Sequence, residues 1–469
     1  MAEESSYEAR LIPTSGIDGE RERERRATSA LLAVMSAVTE FGRALTKPFG
    51  APASRLQTYV EVPFVIGEKK LFPDGLIRAS RGQKSWTALV EVKTGENLLM
   101  TEQIENYLDI ARDEGFDAVI TISNEIPPIA GQHPTVVDRR KLRKVALHHL
   151  SWTKVLSEAV MQKEFRGVAD PDQAWILSEL IRYLEHPKSG AMAFNDMGES
   201  WVTVREAVKT GTLRASDKGV AEVASRFDAL LCFAGLYIGR KLGTEVMPVL
   251  SRKEFADPAS RTQALAGELV RSGQVAGAIR IPATVGDVVV TADLRAGTVT
   301  CHIDVDAPRE GRPTTRVNWL VRQLKAAPDG VRIEAHAAHE RGQGAAELLG
   351  KVRENPALLI ADPAKDLRSF RVAMTVPMGS KRGRGRGCFI DSVLAAIDAF
   401  YGDVVEHLKA WAAAPPRLRS DADVVAPDDA EVAPALVSTA LSSQDDPTPD
   451  GDGDHPASAE AVGVAAPTE

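Results

Sequence analysis

The chain has 469 residues, 44% of them apolar, and a formal net charge of -8 from 57 Lys/Arg against 65 Asp/Glu. That size and apolar share suit two or three globular domains, each able to bury a core. They come with no apolar run of membrane-spanning length. Three scattered cysteines, Cys232, Cys301 and Cys388, give neither a disulfide framework nor a zinc spacing.

The charge is unevenly placed. From Asp421 onward there are twelve acids and no Lys or Arg; taking these from -8 leaves +4 for the first 420 residues. The body is therefore mildly basic and compatible with a polyanionic partner. The opening stretch, MAEESSYEARLIPTSG, has no apolar signal-peptide core, so a cytoplasmic location is expected, with no membrane partner.

In chain order, residues 1–26 read as a flexible segment ending in GERERERRA, a solvated helical lead-in. Apolar spacing then predicts one helix from Ala27 to about Leu45, stopped by KPFGAP. Leu56 to Phe64 alternates as a strand. PDGLIRAS and SWTALVEVK flank RGQK as a hairpin. A helix follows from Thr101 to Gly115, then a buried strand, Asp117 to Ser123. The strand KVALHHL and the helix SWTKVLSEAV come next. His148 and His149 fall on opposite faces of that strand and read as structural.

From about Asp170 the pattern changes. A helix ends at Pro187, a long one covers VAEVASRFDALLCFAGLYIGRKL, and five alternating strands surround the helix RVNWLVRQLKAA. The helix FIDSVLAAIDAFYGDVVEHLKAW closes this half. The expected layout is a flexible segment at 1–26, an α/β domain at 27–187, an α+β domain at 188–416 and a disordered acidic tail at 417–469.

The chemistry concentrates in one stretch. The hairpin brings Asp74, at the start of one strand, to Glu91, near the end of the next. Glu91 and Lys93 share a sheet face, while Val90 and Val92 turn to the other. Two carboxylates buried together are costly without a cation. A hard divalent ion such as Mg2+, or Mn2+ in its place, resolves the conflict and supplies water activation. Lys93 can orient that water or steady charge growing on phosphate. Taken singly, each residue has a plainer reading: Pro-Asp-Gly as a turn, Glu91 and Lys93 as a solvated ion pair.

Pro73-Asp74 followed by Glu91-Val92-Lys93 resembles the PD-(D/E)XK nuclease superfamily, whose core runs α-β-β-β-α-β, the order read above. Gln103-Ile104-Glu105-Asn106-Tyr107 resembles the QxxxY motif of its RecB-type branch, with Gln103 and Tyr107 on one helix face. The resemblance covers residues 27 to 160. It implies a metal-dependent nuclease acting on DNA or RNA, DNA foremost. Asp74 and Glu91 would be metal ligands, Lys93 catalytic, and Gln103 and Tyr107 would line the site. It also implies a metal-contacting acid on the first helix, for which Glu40 is the candidate. Tyr107 also reads as a core aromatic, and Glu40 as a surface acid.

KRGRGRG offers Lys381, Arg382, Arg384 and Arg386 as a nucleic-acid backbone contact, or simply a flexible loop; it lacks the Walker spacing. The rival to an enzyme is a catalytically inactive scaffold of the same fold that binds nucleic acid or a protein partner. The sequence leaves monomer and homodimer open.

Overall fold

The computed structural model describes residues 7–8, 20–66, 69–129, 131–192, 194–340, 342–383 and 385–413. The acidic tail expected from residue 417 and the candidate Arg384 lie outside these.

The first half opens with α1 (Glu20–Ala37) and α2 (Thr39–Thr46). The single helix expected from Ala27 to Leu45 is thus two, and Glu20–Arg26 belongs to the first. Val38 between them is extended, at φ -98 and ψ 91. The break follows from packing. A Cβ on Gly42 would stand 2.2 Å from the Met35 carbonyl oxygen, so only glycine lets α2 fold back on the end of α1.

Next come β1 (Leu56–Val60), β2 (Gly75–Arg81), β3 (Lys84–Val92), α3 (Thr101–Asp113), β4 (Ala118–Ser123), β5 (Ala146–Ser151), α4 (Trp152–Val160) and α5 (Pro171–Glu185). The strand expected from Leu56 to Phe64 ends early. Glu61 takes φ 53, a conformation that breaks pairing, and Phe64–Ile66 instead pairs with Lys69–Leu71 in a small hairpin. The RGQK turn forms as expected: Arg81 pairs with Lys84, and Gly82 takes φ 60 between them.

The sheet is mixed, in order β1-β2-β3-β4-β5, with Tyr7–Glu8 paired to the outer edge of β1. The first three strands form an antiparallel meander; β4 and β5 join parallel. Element order is α-β-β-β-α-β before β5. One face packs on α1, α2, α4 and α5 through Leu31, Leu32, Phe41, Ile77, Val90 and Val92. The other packs on α3 through Leu76, Leu89, Val119, Ile104 and Leu108. Burying each such side chain is worth about 2 kcal/mol, which fixes strand register firmly, since a one-residue slip would turn every apolar group outward.

The second half is a seven-stranded antiparallel sheet. Its strands are β6 (Met247–Val249), β7 (Gln274–Arg280), β8 (Val288–Asp293), β9 (Thr298–Asp306), β10 (Arg332–Ala337), β11 (Ala345–Leu348) and β12 (Leu367–Pro377), in order β11-β10-β12-β9-β8-β7-β6. Alternate residues of β8 and β9 are buried. Their core is shared with helices α6 (Trp201–Thr210), α7 (Gly219–Leu242), α8 (Pro258–Ser272), α9 (Pro313–Gln323) and α10 (Phe389–Asp403). The last helix stops eight residues short of the expected Trp411. The short edge strands β6 and β11 carry little pattern; the helix α8 was missed although Asp257 caps it, Pro258 opens it and Gly273 ends it.

No helix among the described residues is long and apolar enough to cross a membrane. The apolar run in α7 contains Asp228, which is buried and held in a two-point contact by Arg261 at 3.1 and 3.0 Å. All three cysteines are buried and free.

Candidate active site

Register does the first part of the work. Gly75 pairs with Val90, so Asp74 enters the sheet beside Glu91. Gly75 is required there: a Cβ would meet Leu32 of α1 at 2.4 Å. Asp74 then accepts the Val92 backbone N–H through Oδ2 at 2.8 Å. Lys93 is held on both sides, its N–H donating to Ile122 O at 2.7 Å and its carbonyl accepting Trp152 Nε1 at 2.8 Å. Trp152 is wholly buried, so the end of β3 is clamped between β4 and α4.

Val90 and Val92 enter the core shared with α1, while Glu91 falls on the face that α3 covers, and Lys93, just past the strand, reaches both Glu91 and Glu24 of α1. Lys93 Nζ contacts Glu91 Oε1 at 2.6 Å. Glu91 is only 1% exposed; its other oxygen, Oε2, makes no well-aligned hydrogen bond, although Asp74 and the Tyr107 hydroxyl act on the same carboxylate. A carboxylate oxygen left so is expensive unless a cation or water meets it.

Electrostatics point the same way. Burial, then repulsion from Glu91, holds the Asp74 carboxyl well above its ordinary range. Burial likewise raises Glu91, although Lys93 opposes it. For Lys93, burial pulls down, but Glu91, Asp74 and Glu24 outweigh it and raise the ammonium. Lys93 is therefore charged, and the two acids compete for too little positive charge.

A third acid, Glu24, reaches Lys93 from the first helix, and the expected Glu40 is not among its neighbours. Glu24 lies on α1, with Oε2 3.8 Å from Lys93 Nζ and Oε1 2.7 Å from Asn97 Nδ2. Glu40 sits on α2, packed away with that helix; its Oε2 is buried without a partner, and no contact joins it to Asp74, Glu91 or Lys93. Sixteen residues separate Glu24 from Glu40, about 24 Å along even a continuous helix, so the two acids do not share one place on it. The spacing within ERERERR gave no sign that Glu24, rather than Glu20 or Glu22, would face the sheet.

Gln103 and Tyr107 also arrive. Gln103 Nε2 donates to Tyr107 Oη at 3.1 Å, and that hydroxyl lies 3.4 Å from Phe72 O, one residue before Pro73. Burial, then Glu91, raises the Tyr107 phenol, so it remains a neutral donor. Asp74, Glu91, Lys93, Gln103 and Tyr107 thus converge.

Beside them on the same face is a closed polar chain. His149 Nε2 donates to Glu125 O at 2.9 Å, which leaves Nδ1 to accept from Thr121 Oγ1 at 2.9 Å. His133 Nε2 lies 2.8 Å from the same Thr121 Oγ1, and its Nδ1 lies 2.9 Å from the Thr135 carbonyl and 3.0 Å from the Thr135 N–H. Burial pushes His149 down to about 4, so both imidazoles are neutral struts that pin the loop after β4. His148, on the opposite face, stacks on Phe49 at 4.3 Å.

The residues fit a divalent cation of the hard kind. Glu24, Asp74 and Glu91 against Lys93 would carry a net charge of about -2 if all were ionised, an excess that a hard divalent cation would offset. Among the described residues no three His, Cys, Asp or Glu side chains stand close enough for a ready-made cage.

The basic loop is elsewhere. Lys381 and Arg386 are exposed, and Arg382 pairs with Asp196 at 3.2 Å. The loop is ordered by Ser380 and Lys381 N–H groups on Gly387 O. It is joined to the site indirectly. Gly95, two residues after Lys93, donates to Gly190 O at 2.8 Å, and Asn124 bridges both glycines. The six residues from Gly190 to Asp196 span at most about 20 Å.

No protein-family profile, curated protein or solved structure matches this chain.

Proposed function

We propose that the chain is a divalent-cation-dependent nuclease of the PD-(D/E)XK kind, hydrolysing phosphodiester bonds, foremost in DNA. The observation that carries this reading is the buried Asp74–Glu91 pair with the Lys93 ammonium 2.6 Å from Glu91. The α-β-β-β-α-β order with its parallel fourth strand supports it. So does the gathering of the PD, ExK and QxxxY residues at one end of one sheet.

Asp74 and Glu91 would hold Mg2+ or Mn2+, with Glu24 in the supporting place first assigned to Glu40. When bound, the ion supplies Lewis-acid stabilisation of the phosphate and acidifies water. The chain's own residues do the rest. Lys93, being an ammonium, acts as a fixed cation toward the phosphate and toward Glu91, and not as a general base. Tyr107 and Gln103 brace the wall through the Phe72 carbonyl and keep the strand entrance in place. Val92 N–H fixes the Asp74 carboxyl. Lys381 and Arg386, both exposed, would add salt-dependent affinity if a bound backbone runs as far as their loop. Free, buried cysteines accord with work in the cytoplasm.

The test is cleavage of labelled DNA and RNA by the full chain with Mg2+, with Mn2+ and with chelator, beside Glu91→Gln. The reading predicts metal-dependent products from the wild type and none from the variant. Binding without cleavage under every metal would instead make the chain a nucleic-acid-binding protein.

A further inference from the structure

The acid centre is bordered by apolar side chains that no core needs. Phe72, Leu98, Met100 and Val136 all stand exposed, Phe72 at 52% and Val136 at 85%. Single exposed apolar residues are ordinary on a protein surface, but four tied to one polar site are not explained by chance scatter. Their placement is fixed by contacts already described. Phe72 lies two residues before Asp74, and its carbonyl meets Tyr107 Oη. Leu98 follows Asn97, which holds Glu24 at 2.7 Å. Met100 precedes the first turn of α3, one turn before Gln103. Thr101 Oγ1 donates to Val136 O at 3.3 Å, so Val136 sits against that same turn.

The Phe72 ring also carries a cation: Lys70 Nζ stands 5.2 Å from its centroid. An aromatic face, flanking apolar side chains and interleaved ammonium groups match one class of ligand well. Unpaired bases offer flat apolar faces, with a phosphate beside each; in a duplex those faces are stacked away. A protein partner would find this patch interrupted by Lys70, Asn97, Thr101 and Lys93.

We propose that Phe72, flanked by Leu98, Met100 and Val136, forms a stacking rim for unpaired nucleobases, so that the centre takes single-stranded or unpaired nucleic acid in preference to intact duplex. This rests on the nuclease reading for its substrate class, but it makes a separate claim about binding. Lys70 would neutralise the phosphate next to the stacked base. The rim would place the following linkage toward Asp74 and Glu91.

The test uses the full chain and one oligonucleotide carrying 2-aminopurine, single-stranded or annealed to its complement. Fluorescence quenching in chelator reads stacking without chemistry. The wild type should bind the single strand at least tenfold more tightly than the duplex, with quenching. Phe72→Ala should lose about tenfold in single-strand affinity, within the range of one base–aromatic stack, and lose the quenching. Phe72→Trp should restore both. Phe72 is half exposed, so these variants do not disturb a core. Equal affinity of wild type and Phe72→Ala, a duplex preference, or no nucleic-acid binding would each overturn the rim. Mg2+-dependent cleavage is read separately: quenching that depends on Phe72 with no cleavage sinks the nuclease reading alone. Cleavage indifferent to Phe72 sinks the rim alone.

Discussion

Lys93→Ala separates the two things Lys93 does. Its ammonium stands 2.6 Å from Glu91 Oε1, and the two side chains are 15% and 1% exposed. Removing one partner of so buried a pair costs about 3 kcal/mol, at the lower end of the usual range because Glu91 can take up a proton. In a folded body of some 400 residues that is a fall of about 4 °C in Tm without metal. Mg2+ should return part of it, since the ion replaces the lost positive charge. Cleavage should fall at least about 100-fold, the usual effect of deleting a group that stabilises developing charge, while oligonucleotide affinity stays within a few fold. Thermal melts with and without Mg2+, with single-turnover cleavage, read both effects. A variant that cuts within twofold of the wild type would refute the role given to Lys93.

Further outcomes follow from the same geometry. Asp74→Asn should abolish cleavage yet stabilise the metal-free protein at neutral pH, seen as a higher Tm and loss of the Mg2+-induced rise. The sign comes from linkage. The folded Asp74 binds its proton more tightly than the unfolded chain does, so the wild type loses stability as pH climbs above the ordinary carboxylate range, and the variant loses less. Glu24→Gln should weaken Mg2+-dependent cleavage about tenfold, whereas Glu40→Gln should leave it within twofold; equal effects would contradict the assignment of the third acid. Tyr107→Phe removes the hydroxyl between Gln103 and Phe72 and should cost about 1 kcal/mol in a melt, with a larger loss in kcat than in binding.

Much of the first half could be read from the chain. Alternation in VEVK assigns the faces of β3 correctly, because a two-residue period leaves no other placement once Val90 and Val92 are buried. Gln103 and Tyr107 share a helix face by spacing alone. What could not be read depends on contacts between distant residues. The turn at Val38 arises where Gly42 meets the Met35 carbonyl, and Glu24 is picked out by Lys93 and Asn97, about seventy residues on. The 64–71 hairpin depends on the backbone at Glu61, whose positive φ no local pattern announces. The rim of apolar residues is drawn from three separate loops, so each residue looked unremarkable in its own segment.

The most direct check of the proposed centre is Mn2+ titration of the full chain followed by electron paramagnetic resonance. The wild type should bind Mn2+ displaceable by Mg2+, with the site lost in Glu91→Gln and retained in Glu40→Gln. Wild type and Glu91→Gln binding Mn2+ alike would contradict a cation held by the buried carboxylate pair.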